Sequence, residues 1–263
     1  MTRSRIIFLC LLLAGSLAHG EEPLKLCYED AYNFPWLTKN GQGLNNKLVD
    51  MAALQSGIKV VQVAFPWKRC LSNIATGEVA GGFAASYSEE RAKFAVYPTT
   101  PDGKLDPSRR LKTDGYSLYR VKGTAAHWDG RQFVDLTGRI GSQLGYSSSA
   151  ELRKQGAAVY ESNDNPEKAM KHLLAGDLEL LALMTFEGDE QLNNPELARK
   201  VEKIASPFTE KPYFVIFNKD FYNANRNAVE EFWAGLAAAR ESAQFKRLLR
   251  EETSRIAPVP VAK

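Results

Sequence analysis

Residues that build metal centres are scarce in this sequence. Only three of its 263 residues are cysteine and three are histidine. None of them forms a pair with the spacing of a zinc site. Those beyond residue 20 are Cys27, Cys70, His127 and His172. We therefore expect neither a metal site nor a cofactor.

Signatures of nucleotide binding and of serine hydrolases are missing as well. The sequence contains no Gly-x-Ser-x-Gly elbow and no phosphate-binding Gly-Lys-Ser/Thr loop. The glycine-bearing segment 138–145, GRIGSQLG, is more typical of a strand and its turn than of a dinucleotide fingerprint. These absences argue against the commonest nucleotide-dependent functions.

Long hydrophobic runs are absent after the N-terminus. Arg3 and Arg5 precede an apolar run at 6–13, and residues 18–20, Ala-His-Gly, are small enough for cleavage before Glu21. No later stretch is long and apolar enough to span a bilayer. We expect residues 1–20 to be a cleaved secretory signal, with an uncleaved membrane anchor as the alternative.

Neither sign of charge dominates the remaining chain. Residues 1–20 hold two basic residues and no acidic one, so their removal lowers the formal net charge from +3 to +1. Such a balance gives no reason to expect a nucleic-acid partner. The remaining 243 residues suit one large or two small domains.

The two cysteines beyond residue 20 fall in elements that we expect to be neighbours. Cys27 lies in a predicted strand at 24–28, and Cys70 lies in the helix that follows the second predicted strand. Adjacent elements of an α/β lobe permit the Cα spacing that a disulfide needs. In an oxidising compartment the pair can be bridged. Two buried thiols are the alternative.

Strand and helix patterns alternate over the first hundred residues. Apolar strands are predicted at 24–28, 58–63 and 81–85, with an amphipathic helix at 45–56 and another that ends at Gly77. This β-α-β-α-β order is typical of a doubly wound sheet. A segment at 99–115, rich in Pro, Asp, Lys and Arg, predicts a surface loop.

A second α/β set follows a strand predicted at 116–121. It begins at Gly138 and includes a helix at 166–175 and an apolar strand at 178–184. The chain then returns through a strand at 213–217 and an amphipathic helix at 226–241. The tail at 256–263, which contains two prolines, is expected to fray.

The strongest functional signal lies in the segment 65–98. Here a helix, a glycine turn and a small, uncharged strand lead to Ser86, Ser88 and Arg91. In open α/β sheets this carboxyl edge is where ligands bind. The order resembles the ligand loop of family 3 periplasmic solute-binding proteins, where Gly-x-x-Asp and a strand precede Ser/Thr-x-x-x-Glu-Arg. At the Asp position this chain has Ala80. The resemblance covers essentially the whole chain after residue 20.

The resemblance implies the type 2 periplasmic binding protein fold. In this α/β fold each of two lobes is a doubly wound mixed sheet flanked by helices, and two hinge crossings join the lobes. Lobe 1 would contain 23–116 and 213–263, and lobe 2 would contain 117–212, with crossings near 116–118 and 208–213. Ligand would be trapped by hinge closure.

The resemblance also assigns residues to the first lobe's half of a ligand site. In the family the loop arginine grips the α-carboxylate of an amino acid, and the matching residue is Arg91. Ser86 matches a residue that holds the same carboxylate, and Ala84 matches one whose carbonyl faces the ligand amine. A surface arginine paired with Glu89 or Glu90 is the alternative for Arg91.

Further contacts are expected from the second lobe and from aromatic side chains. Tyr146 and Ser147 begin a predicted helix, where free N–H groups favour an anion, although ordinary capping explains them equally well. Asp30 and Trp36 occupy the family's first ligand loop, and Trp67 offers a second wall. Either tryptophan could instead belong to the core.

One position departs from the amino-acid binders of the family. Where they carry an aspartate that pairs with the α-amine, this chain has Met184. Either Glu29, Asp30 or Glu187 serves the amine, or the ligand has none.

The resemblance implies a monomeric periplasmic protein that is not an enzyme. It would capture a small polar, carboxylate-bearing solute for an ABC permease. One alternative is a sensory protein that reports its ligand to a membrane receptor. Another is an exported dehydratase-like enzyme on the same fold, for which Glu29, Asp30 and Glu187 are the candidate general acids.

Overall fold

A computed structural model describes residues 23–38 and 40–254. The strands are β1 (Leu24–Glu29), β2 (Val60–Phe65), β3 (Gly81–Ser86), β4 (Ala95–Val96), β5 (Lys112–Val121), β6 (His127–Trp128), β7 (Phe133–Val134), β8 (Arg139–Gln143), β9 (Ala158–Ser162), β10 (Leu180–Met184), β11 (Val201–Lys203) and β12 (Thr209–Asn218). The helices are α1 (Leu44–Ser56), α2 (Trp67–Thr76), α3 (Ser147–Lys154), α4 (Pro166–Ala175), α5 (Thr185–Gln191), α6 (Pro195–Lys200), α7 (Lys219–Ala224), α8 (Arg226–Glu241) and α9 (Ala243–Thr253).

One curled ten-stranded sheet runs through the molecule in the order β2-β1-β3-β12-β5-β10-β8-β9, with β4 and β11 attached to β12 and β5. The first three strands of this order are parallel, as are the last three. The predicted α/β class is therefore confirmed.

Two long antiparallel strands join these two parallel sets. Residues 209–213 of β12 pair with 112–116 of β5, whereas 213–217 pair with β3. The second half of β5 pairs with β10 and β11. Both strands thus pass from one set to the other close to the predicted crossings. The boundaries 23–116 with 213–263, and 117–212, remain a prediction.

The apolar core follows the predicted patterns closely. In α8 the buried side chains include Val229, Phe232, Trp233 and Leu236. The indole N–H of Trp233 donates to the carbonyl oxygen of Val215 at 2.8 Å, so its polar atom is satisfied inside the core. Burying each such side chain contributes about 1.5–3 kcal/mol to folding.

The predicted surface loop at 99–115 is wrong at its C-terminal end. Strand β5 already begins at Lys112, and the side chains of Lys112 and Asp114 are buried. Residues two apart on a strand point to the same face, so these opposite charges form an ion pair of 2.5 Å and neutralise each other. Polar composition therefore did not mean exposure here.

Cys27 and Cys70 form a disulfide, as predicted, with a Cα–Cα distance of 5.7 Å. It links β1 to α2. The predicted signal at 1–20 and the predicted frayed end at 256–263 lie outside the described residues. Within 23–38 and 40–254 no helix combines the length and apolar character needed to cross a bilayer.

Candidate ligand-binding site

The carboxyl ends of β1, β3 and β10 meet the beginnings of α2 and α3 around a small cavity of about 30 Å³, which we call the inner cavity. It opens beside a larger cleft of about 1280 Å³, which we call the outer cleft. The inner cavity is lined by Glu29, Asn33, Leu37, Asn45, Trp67, Phe83, Ala84, Ser86, Arg91, Lys112, Tyr116, Tyr146, Met184 and Tyr213.

Arg91 lies on the wall of the inner cavity and is only 6% exposed, so it is not a surface arginine. Its Nη1 donates to the carbonyl and hydroxyl oxygens of Ser86, at 2.8 and 3.1 Å. Its Nη2 donates to the carbonyl oxygen of Gly145 at 3.1 Å, and its guanidinium stacks over Trp67 at 5.3 Å. These contacts fix the planar donor group that a carboxylate needs.

Ser86 lines the inner cavity and contacts Ser147, which does not line it. Their hydroxyl oxygens are 2.9 Å apart, and both side chains are buried. The carbonyl oxygen of Ser86 also accepts from Tyr97 at 2.8 Å. Ser148 turns away and bonds to Ser142 at 2.8 Å. The residues predicted to hold a carboxylate from the two sides are therefore adjacent.

Ala84 interrupts the ladder between β3 and β12. Phe83 faces Val215 and Ala85 faces Phe214, so Ala84 is the extra residue of a β-bulge. Its φ of 63° lies in the left-handed region, which is unfavourable for alanine. Backbone strain of this kind concentrates at functional sites, and Ala84 lines the inner cavity.

Glu29 ends β1 at the boundary between the inner cavity and the outer cleft. The hydroxyl of Tyr146 donates to its carboxylate at 2.5 Å. Burial raises the pKa of Glu29 to about 7, against the opposing effects of the Tyr146 hydrogen bond and the charge of Arg91. This carboxyl group therefore exchanges a proton near neutral pH.

Glu187, in the first turn of α5, lines the outer cleft and is buried. Its Oε2 has no hydrogen-bond partner within the described part of the chain. Burial, followed by the negative charges of Glu29 and Asp114, raises the pKa of Glu187 well above its usual range. Asp30 also lines this cleft but is exposed.

The Lys112–Asp114 ion pair lies beside the inner cavity, which Lys112 lines. The ammonium group sits 4.5 Å from the ring centre of Trp36 and 5.5 Å from that of Tyr213. Burial lowers the pKa of Lys112, and the charge of Asp114 opposes this shift. The sequence signal for this pair is the spacing of Lys112 and Asp114, two residues apart as on one face of a strand, but the polar composition of 99–115 predicts a loop there.

The structure places the two candidate tryptophans differently. Trp67 lines both the inner cavity and the outer cleft. Trp36 is buried against Lys112 and contacts Phe186 edge-on at 5.9 Å, outside the lining of the inner cavity. Met184 does line the cavity, and its sulfur accepts a hydrogen bond from Asn33 Nδ2 at 3.4 Å.

Sequence reasoning missed several residues of the inner cavity. Asn33 and Asn45 belong to no motif, and the sequence places Tyr116 and Tyr213 on strands and on the predicted crossings without pointing to the site. All four are buried and line the cavity. Their positions depend on how distant strands are brought together, which local patterns do not encode.

The fold has counterparts among solved structures. The GluR0 ligand-binding core from Nostoc punctiforme, in complex with L-glutamate, matches 88% of this chain and 99% of its own, with 18% identity and a TM-score of 0.68. A histidine kinase sensor domain with similarity to periplasmic binding proteins matches 88% and 96%, with 16% identity and a TM-score of 0.69.

A third counterpart is AncCDT-1, described as an ancestral amino acid-binding protein and a precursor of cyclohexadienyl dehydratase. It matches 88% of this chain and 94% of its own, with 18% identity and a TM-score of 0.65. No protein-family model and no curated sequence matches the chain. The structural likenesses establish the fold as that of two-lobed type 2 periplasmic binding proteins, as the sequence predicted.

Proposed function

We propose that the protein captures a small carboxylate-bearing solute between its two lobes and performs no covalent chemistry on it. The observation that carries this proposal is the buried guanidinium of Arg91 on the wall of the inner cavity, hydrogen-bonded to Ser86, whose hydroxyl in turn contacts that of Ser147. A desolvated guanidinium with hydroxyl groups beside it favours an anionic, planar group. The GluR0 core, which has the same fold, is described in complex with L-glutamate, itself a carboxylate.

The proposed setting is the periplasm, with an ABC permease as the partner of a monomeric binding protein. The disulfide between Cys27 and Cys70 supports an oxidising compartment. A membrane receptor is the alternative partner, because a histidine kinase sensor domain shares the fold.

A second candidate function is that of a dehydratase-like enzyme. Glu29 favours it, because a cavity carboxyl group with a pKa near 7 can act as a general acid. The likeness to AncCDT-1, a precursor of a dehydratase, points the same way. Binding without turnover remains our proposal because one acid alone does not define a reaction.

Mass spectrometry of material released when the purified protein is denatured tests both candidates. Our proposal expects a small carboxylate released unchanged, and expects that compound to rebind to the refolded protein. An enzyme would instead convert added cyclic carboxylates, with a rate that falls in Glu29→Gln. Release of no carboxylate, together with no Arg91-dependent binding of any carboxylate, would contradict the proposed function.

A further inference from the structure

The inner cavity has a second polar wall in addition to Arg91. Both side-chain amide atoms of Asn45 and Oδ1 of Asn33 are buried and make no hydrogen bond within 23–38 and 40–254. Both residues line the inner cavity. Leaving a buried polar group unpaired costs about 1–3 kcal/mol, so nearly all such groups are paired. Their concentration around one cavity marks a place where a bound molecule completes the hydrogen bonds.

The signal comes from side chains rather than from the end of helix α1. The backbone N–H groups of Leu44 and Asn45 already donate to the carbonyl oxygens of Pro35 and Trp36, at 2.9 and 3.1 Å. The Asn45 amide, 1% exposed, is therefore the unsatisfied group.

Charges around the cavity restrict what this wall can bind. Lys112 is the cation beside it, and its ammonium group is already paired with Asp114. A second carboxylate on the ligand would gain little from the Lys112 ammonium group, because Asp114 already neutralises its charge. A cation on the ligand would compete with Lys112 for Asp114. A neutral group meets neither difficulty.

The Asn45 amide offers one donor group and one acceptor side by side. A ligand carboxamide matches it reciprocally, because its N–H can donate to Oδ1 and its carbonyl oxygen can accept from Nδ2. The remaining N–H of such a ligand can donate to Asn33 Oδ1, which is also unpaired. A carboxamide thus satisfies three of the unpaired atoms.

We propose that Asn33 and Asn45 form a second subsite that binds a neutral carboxamide, so that the solute is a small amido acid. The position of its carboxylate at Arg91 rests on the proposed function. The binding of the carboxamide at Asn33 and Asn45 is inferred only from the unpaired amide atoms of these two residues.

Titration calorimetry with matched pairs tests the subsite. Succinamate and succinate, and glutaramate and glutarate, differ only in having an amide in place of one carboxylate. Asparagine and aspartate, and glutamine and glutamate, repeat the comparison with an α-amine present. We expect the amide member of the best-binding pair to bind about tenfold tighter or more, the size of one to two hydrogen bonds.

Two leucine variants separate the subsite from helix stability. Asn45→Leu removes an amide with neither atom paired within the described chain, whereas Asn46→Leu removes a neighbouring buried amide whose Nδ2 donates to Gln62 at 2.8 Å, whose Oδ1 is unpaired and which does not line the cavity. We expect Asn45→Leu to abolish the preference for the amide and to raise the melting temperature without added solute. Asn46→Leu should keep the preference and lower the melting temperature.

Equal or tighter binding of the dicarboxylates would overturn this inference, with Lys112 then taking the second carboxylate, and would leave the proposed function standing. An amide preference that survives Asn45→Leu would overturn it as well. If none of the eight compounds binds, the compound released on denaturation decides. A released carboxylate without an amide overturns only the subsite, whereas release of no carboxylate contradicts the proposed function too.

Discussion

The hydroxyl oxygens of Ser86 and Ser147 lie 2.9 Å apart, although Ser86 ends β3 and Ser147 begins α3. Arg91, which donates to Ser86, also reaches the carbonyl oxygen of Gly145 on the α3 side. Both sides of the site are therefore joined by direct polar contacts. A carboxylate that binds here must replace some of these protein–protein hydrogen bonds with hydrogen bonds of its own. Its affinity therefore reflects the difference in free energy between the bonds gained and the bonds lost.

Arg91→Ala should largely abolish solute binding while the protein stays folded. Removing one partner of a desolvated charge pair costs about 2–5 kcal/mol of binding free energy. Calorimetry with the solute released from the wild-type protein measures this loss. Arg69→Ala is the matched control, since Arg69 lines the outer cleft but stacks on Phe65. Unchanged affinity in Arg91→Ala would remove this residue from the site.

Reduction of the disulfide should lower the free energy of unfolding. The bridge closes a loop with a sequence separation of 43 residues, for which the chain-entropy model gives about 4 kcal/mol. Urea unfolding with and without reductant measures the change. The double variant Cys27→Ala/Cys70→Ala should not respond to reductant. Intact-mass analysis that finds two alkylatable thiols in unreduced, exported protein would contradict the bridge.

Glu29 should make the protein less stable as the pH rises through neutrality. Its pKa is raised from 4.5 to about 7 in the folded protein, so between these values the folded state holds a proton that the unfolded state has lost. Its contribution to the free energy of unfolding is fully present below pH 4.5 and falls by roughly 3 kcal/mol as the pH rises from 4.5 through 7.

Denaturant unfolding of wild type and Glu29→Gln at pH 5, 7 and 8 isolates this contribution. Other titrating groups largely cancel in the difference between the two proteins. We expect the variant to gain stability relative to wild type as the pH rises. Glu187→Gln serves as a second variant, because burial and then the charge of Glu29 raise the pKa of Glu187. A difference that does not change with pH would argue against a raised pKa of Glu29.

Common neutral L-amino acids should bind weakly or not at all. Met184 lines the inner cavity, and an ammonium group beside it would lose water without gaining a charged partner. A thermal-shift screen of amino acids against organic acids tests this. Met184→Asp should improve binding of an amino acid relative to the same acid without its amine. Strong stabilisation of the wild type by an ordinary amino acid would show that another carboxylate, such as Glu29, serves the amine.

Breaking the buried Lys112–Asp114 pair from one side should be costly. Lys112→Met leaves Asp114 buried and unpaired, which typically costs 3–5 kcal/mol of folding free energy, and Asp114→Leu should behave alike. The double variant should recover most of this loss. Chemical unfolding of all four proteins gives the coupling between the two charges. Strictly additive losses would mean that the pair does not act as a unit.

Features that depend on local order could be predicted from the sequence. The disulfide followed from placing Cys27 and Cys70 in neighbouring elements of one α/β lobe, and the loop of Arg91 followed from a buried strand with a polar end. Such patterns extend over a few residues and identify the strands and helices. The regular topology of α/β lobes then determines which of these elements are neighbours.

Features in which two polar groups make each other's burial possible, or in which a polar group faces a cavity, could not be predicted from the sequence. Lys112 and Asp114 were read as loop residues because polarity usually means exposure, and only their pairing permits burial. Asn45 is the first residue of the predicted helix at 45–56 and belongs to no motif, yet its amide is enclosed. In both cases the burial is explained by a neighbour that only the folded structure reveals. For Lys112 this neighbour is the opposite charge of Asp114, and for Asn45 it is the inner cavity.

The hydrogen-bonded ladder between β5 and β12 divides the residues that line the inner cavity into those on the ladder and those off it. Residues 112–116 and 209–213 are bonded to each other as a two-stranded ribbon. Hinge closure, which the family resemblance implies, would twist this ribbon, and residues near a rotation axis are displaced least. Lys112, Tyr116 and Tyr213 lie on the ribbon, whereas Tyr146 lies off it. We therefore expect the ribbon residues to form the fixed floor of the cavity and Tyr146 to belong to the wall that closes over a solute.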